Sequence, residues 1–129
     1  MGQTESVRRL LALYCQLLDD SRYDDWSQLF TPDAVWILGV REYRGRPAIK
    51  AYMDQLRRER PDWRTQHKCT NLVIDLDGPT GRVTSDLAFL SRTGEEPWRV
   101  TSLGRYHDQI VQRADARGWQ FAERRLVNL

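Results

Sequence analysis

The chain has 129 residues, enough for one domain around one sizeable core, and its 40% hydrophobic and 29% charged composition is that of a folded chain rather than a disordered one. The net charge is only +2, the arginines are interleaved with acids, and Arg57-Arg58 and Arg124-Arg125 are short pairs, so no nucleic-acid partner is expected. No apolar run nears the roughly 20 residues that cross a bilayer, and the N-terminus lacks the regions of a signal peptide, so a cytoplasmic location is the default and no membrane partner is expected.

From Ser6 to about Asp20 the apolar residues Val7, Leu10, Leu11, Tyr14, Leu17 and Leu18 fall at helical spacing, with Thr4 or Ser6 as candidate caps. At about 100° per residue, Asp20 points away from this stripe. Asp19 lies on the stripe's edge, on the side of Cys15. Asp24 to Phe30 reads as a short second helix with Trp26, Leu29 and Phe30 inward, broken by Thr31-Pro32-Asp33. Ala34 to Leu38 is a short apolar strand, and Tyr43-Arg44-Gly45 a strand end and turn. Pro47 suits the first position of a third helix, which runs to about Arg60 and buries Ile49, Tyr52, Met53 and Leu56.

Beyond Pro61 the period changes. Strand-like segments cover Arg64 to Leu76, Val83 to Ser91, Trp98 to Arg113 and Trp119 to Asn128. Asp77-Gly78-Pro79, Thr93-Gly94-Glu95 and Ala116-Arg117-Gly118 are the candidate hairpin connections. Helices followed by a meander predict one α+β domain over residues 1–129, with a long bent sheet closing a pocket against the helices. Gly104 is a candidate bend or bulge. Cys15 and Cys69 are expected as free, buried thiols.

The segment from Arg64 to Asp75 holds His67, one of two histidines, and imidazole is the side chain whose ordinary pKa lies nearest neutrality. Alternation puts Thr65, His67, Cys69, Asn71 and Val73 on one face, yet Leu72, Ile74 and Leu76 on the other are greasier. A bulge that switches faces mid-strand would resolve the conflict. Asp19 is the carboxylate that could orient the imidazole. The residues alone leave blander roles open: His67 as a satisfied core residue, Asp19 as a cap of the second helix or a partner of Arg22, and Tyr14 as core. His107 reads as solvent-facing. Two histidines without an acidic cluster at ligand spacing argue against a metal site, and no glycine-rich phosphate loop is present.

Several stretches carry a family likeness. Leu17-Leu18-Asp19-Asp20-Ser21-Arg22-Tyr23-Asp24-Asp25-Trp26, then Leu29-Phe30-Thr31-Pro32-Asp33-Ala34, form one, with Tyr43-Arg44-Gly45, Gly104-Arg105-Tyr106 and Gly118-Trp119-Gln120-Phe121 further on. With the element order, they resemble the cone-shaped nuclear transport factor 2-like superfamily over nearly the whole chain. Within it the chain resembles the SnoaL-like group, which includes polyketide cyclases, scytalone dehydratase, bile acid 7α-dehydratase and hexachlorocyclohexane dehydrochlorinase. The β subunits of ring-hydroxylating dioxygenases share the fold.

The resemblance implies a cone-shaped α+β barrel, with three N-terminal helices packed on a strongly curved, mainly antiparallel sheet. It also implies an Asp19–His67 pair, because the dehydratases keep a histidine in the setting of Thr65 and His67 and an aspartate that falls on Asp19. Tyr14 matches a tyrosine five residues before that aspartate in the bile acid dehydratase. A second scytalone dehydratase histidine has no counterpart between Val83 and Ser91, and that enzyme's pocket asparagine falls on Ser102. The expectation is a cofactor-free lyase or isomerase, dehydratase- or cyclase-like, working on a small cyclic hydrophobic substrate. Its catalytic set would be His67, Asp19 and Tyr14, in a pocket of Trp26, Phe30, Trp36, Tyr52, Met53, Phe89, Trp98 and Ser102, without metal. The alternative is a non-catalytic binding or scaffold subunit of the dioxygenase β kind. A homodimer is the expected assembly, with a trimer left open by the β-subunit likeness.

Overall fold

A computed structural model describes residues 2–115 and 118–129. Helix α1 (Gln3–Asp19) buries Val7, Leu10, Leu11, Tyr14, Cys15 and Leu18. It begins before Thr4 and Ser6, with Gly2 at its N-cap and no side-chain cap, so neither predicted cap is used. Its end is a Schellman motif: Ser21 takes a φ of 58°, its N–H reaches the Leu18 carbonyl, and the Arg22 N–H reaches Leu17. That termination fixes Asp19 in the last turn, one residue before the chain reverses.

Helix α2 (Tyr23–Ser27) is shorter than expected, and Phe30 opens strand β1 (Phe30–Leu38) rather than closing the helix. Thr31-Pro32-Asp33 does not end an element. It lies inside β1, where the register slips between Phe30 and Val35 and the proline sits without a ladder bond. Gly39, at a φ of 62°, turns the chain into the short strand β2 (Arg41–Arg44). Helix α3 (Arg46–Glu59) follows with Pro47 in its first turn.

The long strands are β3 (Trp63–Asp77), β4 (Thr80–Thr93), β5 (Arg99–Gln112) and β6 (Trp119–Asn128). The turn expected at Ala116-Arg117-Gly118 lies partly outside the described residues, since Ala116 and Arg117 are not among them. One sheet takes all six strands in the order β2-β1-β6-β5-β4-β3. Every pairing is antiparallel except β1 with β6. The sheet curves around the helices but stays open, with β2 and β3 as its edges, so the cone is not a closed barrel.

Bulges supply the bend, since each adds a residue to one strand and sharpens its twist. In β3, Asn71 and Leu72 oppose the single gap between Asp86 and Thr84, and Asn71 adopts a φ of 56°. In β5, Thr101 is the extra residue between Val100 and Ser102; in β6 it is Ala122, between Phe121 and Glu123. The β3 bulge performs the face switch that the sequence calls for: His67 and Cys69 turn inward before it, Leu72, Ile74 and Leu76 after it. Gly104 is not a bulge. It pairs regularly with Leu87 and Asn128, and a Cβ there would meet Leu126 Cδ1 at 2.7 Å and the Val127 carbonyl at 3.1 Å, so close strand approach is what requires glycine.

Candidate active site

The end of α1 meets the first half of β3. Asp19 accepts three hydrogen bonds there: from the Thr65 hydroxyl at 2.9 Å, from the His67 main-chain N–H at 2.9 Å, and on Oδ1 from His67 Nδ1 at 2.5 Å. Both side chains are mostly buried, 7% exposed for Asp19 and 10% for His67. An ionised carboxylate only accepts, so opposite it Nδ1 is the donor, and in a neutral imidazole Nε2 then carries the lone pair. Asp19 neither caps α2 nor pairs with Arg22, whose guanidinium is bound to Asp25. Asp20 is exposed, as the helical wheel requires.

His67 and Asp19 form part of the wall of a cavity of about 230 Å³. Tyr14, Trp36, Tyr52, Met53, Phe89 and Ser102 also line it. Phe89 lies 4.7 Å from the imidazole, centroid to centroid. Three predicted pocket residues are elsewhere. Trp26 and Phe30 are fully buried beneath the wall, with Trp26 packed at 5.2 Å on Trp36 and 5.7 Å on Tyr14. They support lining residues and do not reach the cavity: Trp26, on the inward face of α2, and Phe30, at the start of β1, both point into the core. Trp98 is 40% exposed, past the end of the cavity just before β5, with the Arg92 guanidinium 5.1 Å above its ring.

Tyr14 is completely buried from outside solvent, yet it is among the residues that line the cavity. Trp36 Nε1 donates to that hydroxyl at 3.1 Å, so the phenol keeps its own proton free to donate. Burial pushes the Tyr14 phenol up to about 12, against the opposing pull of Arg124 and of hydrogen bonds from Tyr106 and Trp36. A phenol held protonated in this way is a hydrogen-bond donor and not a base.

Beneath it lies a charged group that the residue pattern did not reveal. Arg124 is fully buried, its guanidinium carbon 3.5 Å from the Tyr106 ring centroid, 4.0 Å from Tyr14 and 4.6 Å from Phe121. Its ion-pair partner is the buried Asp108, with Nε to Oδ1 at 3.3 Å. Burial pushes the Asp108 carboxyl up to about 7, and Arg124 offsets only part of that. Alternation along β5, with Gly104, Tyr106, Asp108 and Ile110 all inward, was the signal available for Asp108. Arg124 was hidden because the Ala122 bulge shifts the phase of β6.

Cys15 and Cys69 are free thiols on the same α1–β3 seam, Cys15 one helical turn before Asp19 and Cys69 two residues beyond His67. Their mutual hydrogen bond raises Cys15, which burial raises further, and lowers Cys69, which Arg124 also lowers. His107 is exposed, and no group of three metal-ligating side chains occurs among the described residues. No helix is long and apolar enough to cross a membrane among those residues.

Solved structures share this architecture. A Mycobacterium tuberculosis protein of unknown function is 27% identical with a TM-score of 0.88, the match covering 98% of this chain and 71% of that one. A Catenulispora acidiphila protein in complex with S-DNPA is 24% identical with a TM-score of 0.86, covering 97% and 92%. A Novosphingobium aromaticivorans protein, a candidate scytalone dehydratase, is 23% identical with a TM-score of 0.84, covering 98% and 83%. No curated protein matches the sequence significantly. Residues 2–125 match the family model of the SnoaL-like domain, so the chain belongs to the SnoaL-like family, within the nuclear transport factor 2-like fold.

Proposed function

We propose that the chain is a cofactor-free lyase or isomerase, dehydratase- or cyclase-like, that performs acid–base chemistry on a small cyclic hydrophobic substrate. The observation that carries the reading is the 2.5 Å contact between Asp19 and His67 on the wall of a cavity of about 230 Å³. His67 Nε2 takes a proton from carbon or returns one to a leaving oxygen. Asp19 holds the ring in that tautomer and stabilises the imidazolium that forms, the role of the aspartate in a hydrolase triad. Tyr14 donates its proton to an oxygen that gains negative charge. Trp36, Tyr52, Met53, Phe89 and Ser102 hold the substrate, whose apolar rings suit a wall of this composition.

A non-catalytic scaffold of the dioxygenase β-subunit kind calls for this space to be filled by side chains, and the open cavity beside the pair favours the catalytic reading. The proposal includes a homodimer through the outer face of the sheet, where Val100, Leu103 and Val127 are exposed. The test is a screen of cyclic ketones and hydroxylated polycycles for loss of water or isomerisation, run on the wild type and on His67→Gln. The expected result is turnover that falls by about 10² to 10⁴ in the variant. Wild-type turnover by His67→Gln refutes the assignment.

A further inference from the structure

The cavity carries charge at its rim that the chemistry above does not use. Arg57, in the last turn of α3, and Arg60, at its C-cap, line it together with Trp63 at the start of β3. Arg57 NH1 donates to the Trp63 carbonyl at 3.1 Å, which anchors the side chain and leaves its other N–H groups uncommitted. The Arg60 guanidinium lies 4.3 Å over the Trp63 ring, so its donors point outward in the plane of the fork. Among the described residues neither arginine has a carboxylate within ion-pair distance. Among the described residues Asp19 is the only acid in the cavity wall, and its oxygens are already engaged by Thr65 and His67. Two unneutralised cations beside an apolar, aromatic wall create a field that attracts an anion and planar donors that bind a carboxylate well.

We infer that Arg57 and Arg60 form an anion subsite, and that the substrate is a cyclic apolar acid whose carboxylate binds there while its ring system lies against the cavity wall. This inference rests on reading the cavity as the substrate site. Trp63 and His67 are four residues apart on one face of β3, about 13 Å of strand at roughly 3.3 Å per residue. That spacing leaves room for fused rings between the carboxylate and the carbon presented to His67.

The test uses 2-naphthoate and its neutral isostere 2-naphthamide, titrated into the intact protein by calorimetry at low salt and again at physiological ionic strength. The wild type is expected to bind the acid about tenfold or more tightly than the amide, as a charge-assisted contact requires, with the preference shrinking as salt is added. Arg60→Gln, at an exposed position where folding is not at stake, should remove much of that preference. Arg57→Gln/Arg60→Gln should abolish it, with amide affinity little changed. Arg60→Lys should keep part of it, because charge survives but the flat fork does not. Equal binding of acid and amide by the wild type, or a preference that persists in the double variant, overturns the anion subsite alone. Failure of both probes to bind overturns it together with the reading of the cavity as the substrate site. Neither result bears on whether His67 is the base, which the turnover of His67→Gln decides.

Discussion

Asp19 stands in the last turn of a helix, where the backbone dipole disfavours a negative charge by roughly 0.3–1 kcal/mol. Three hydrogen bonds from β3 offset that, and two of them come from His67 itself. The position is therefore tuned to one neighbour. Asp19→Asn retains the shape and an acceptor for the main-chain N–H but withdraws the charge that balances an imidazolium. Its kcat is expected to fall by about 10² to 10⁴ with little change in KM, measured on whichever substrate the screen identifies. Tyr14→Phe separates two roles of one hydroxyl. It removes the donor facing the cavity, and it leaves the Trp36 indole N–H, on a residue only 2% exposed, without an acceptor. Denaturant titration should show a loss of about 1–3 kcal/mol, the cost of an orphaned buried donor. Trp36→Phe in the same background should recover part of that loss, while kcat stays low. If the double variant regains turnover, the hydroxyl has no catalytic part.

Strand β3 works because it contains one residue too many. Before the bulge it presents Thr65, His67 and Cys69 to the helices, and after it Leu72, Ile74 and Leu76, so one strand serves the site and the core from opposite phases. Asn71 makes this affordable: it tolerates a φ of 56° better than most side chains and donates to Asp86 Oδ2 at 2.9 Å. Asn71→Val is expected to cost about 1–3 kcal/mol by chemical denaturation, since a β-branched residue is strained there. Asn71→Gly should cost distinctly less, and an equal loss in both variants would trace the effect to the Asp86 contact instead. Legibility follows the same line. The conflict between the two faces of β3 was visible in the sequence and required a bulge. The equivalent slip in β6 was not, because Trp119-Gln120-Phe121-Ala122 alternates cleanly up to the point where Ala122 breaks step. Arg124 therefore read only as half of a short basic pair, whereas it is the most deeply buried cation among the described residues.

At the scale of the molecule, the interior holds a charge pair under the site rather than a purely apolar core. Three aromatic rings surround Arg124, while Asp108 is raised from 3.8 to about 7 by burial. A carboxyl whose folded pKa exceeds its unfolded one favours the native state fully below 3.8, and that contribution is lost as pH rises through about 7. Measured by urea unfolding across this range, the stability of the wild type relative to Asp108→Asn should fall between about pH 4 and 7 and level off above it. A flat difference would mean that Asp108 is not held protonated by its surroundings. The sequence by itself determined the element order, the helical faces and the α+β class, which follow from short-range periodicity. The pairing of Asp19 with His67 was not among these; it entered only as what the family likeness implied. Only the tertiary structure decided that Trp26 and Phe30 support the wall instead of forming it, that Trp98 lies outside, that the sheet stays open, and that Arg124 lies beneath Tyr14. Each of these depends on where bulges shift the phase of a strand and on how far a curved sheet extends past its helices, and neither is set by neighbours along the chain.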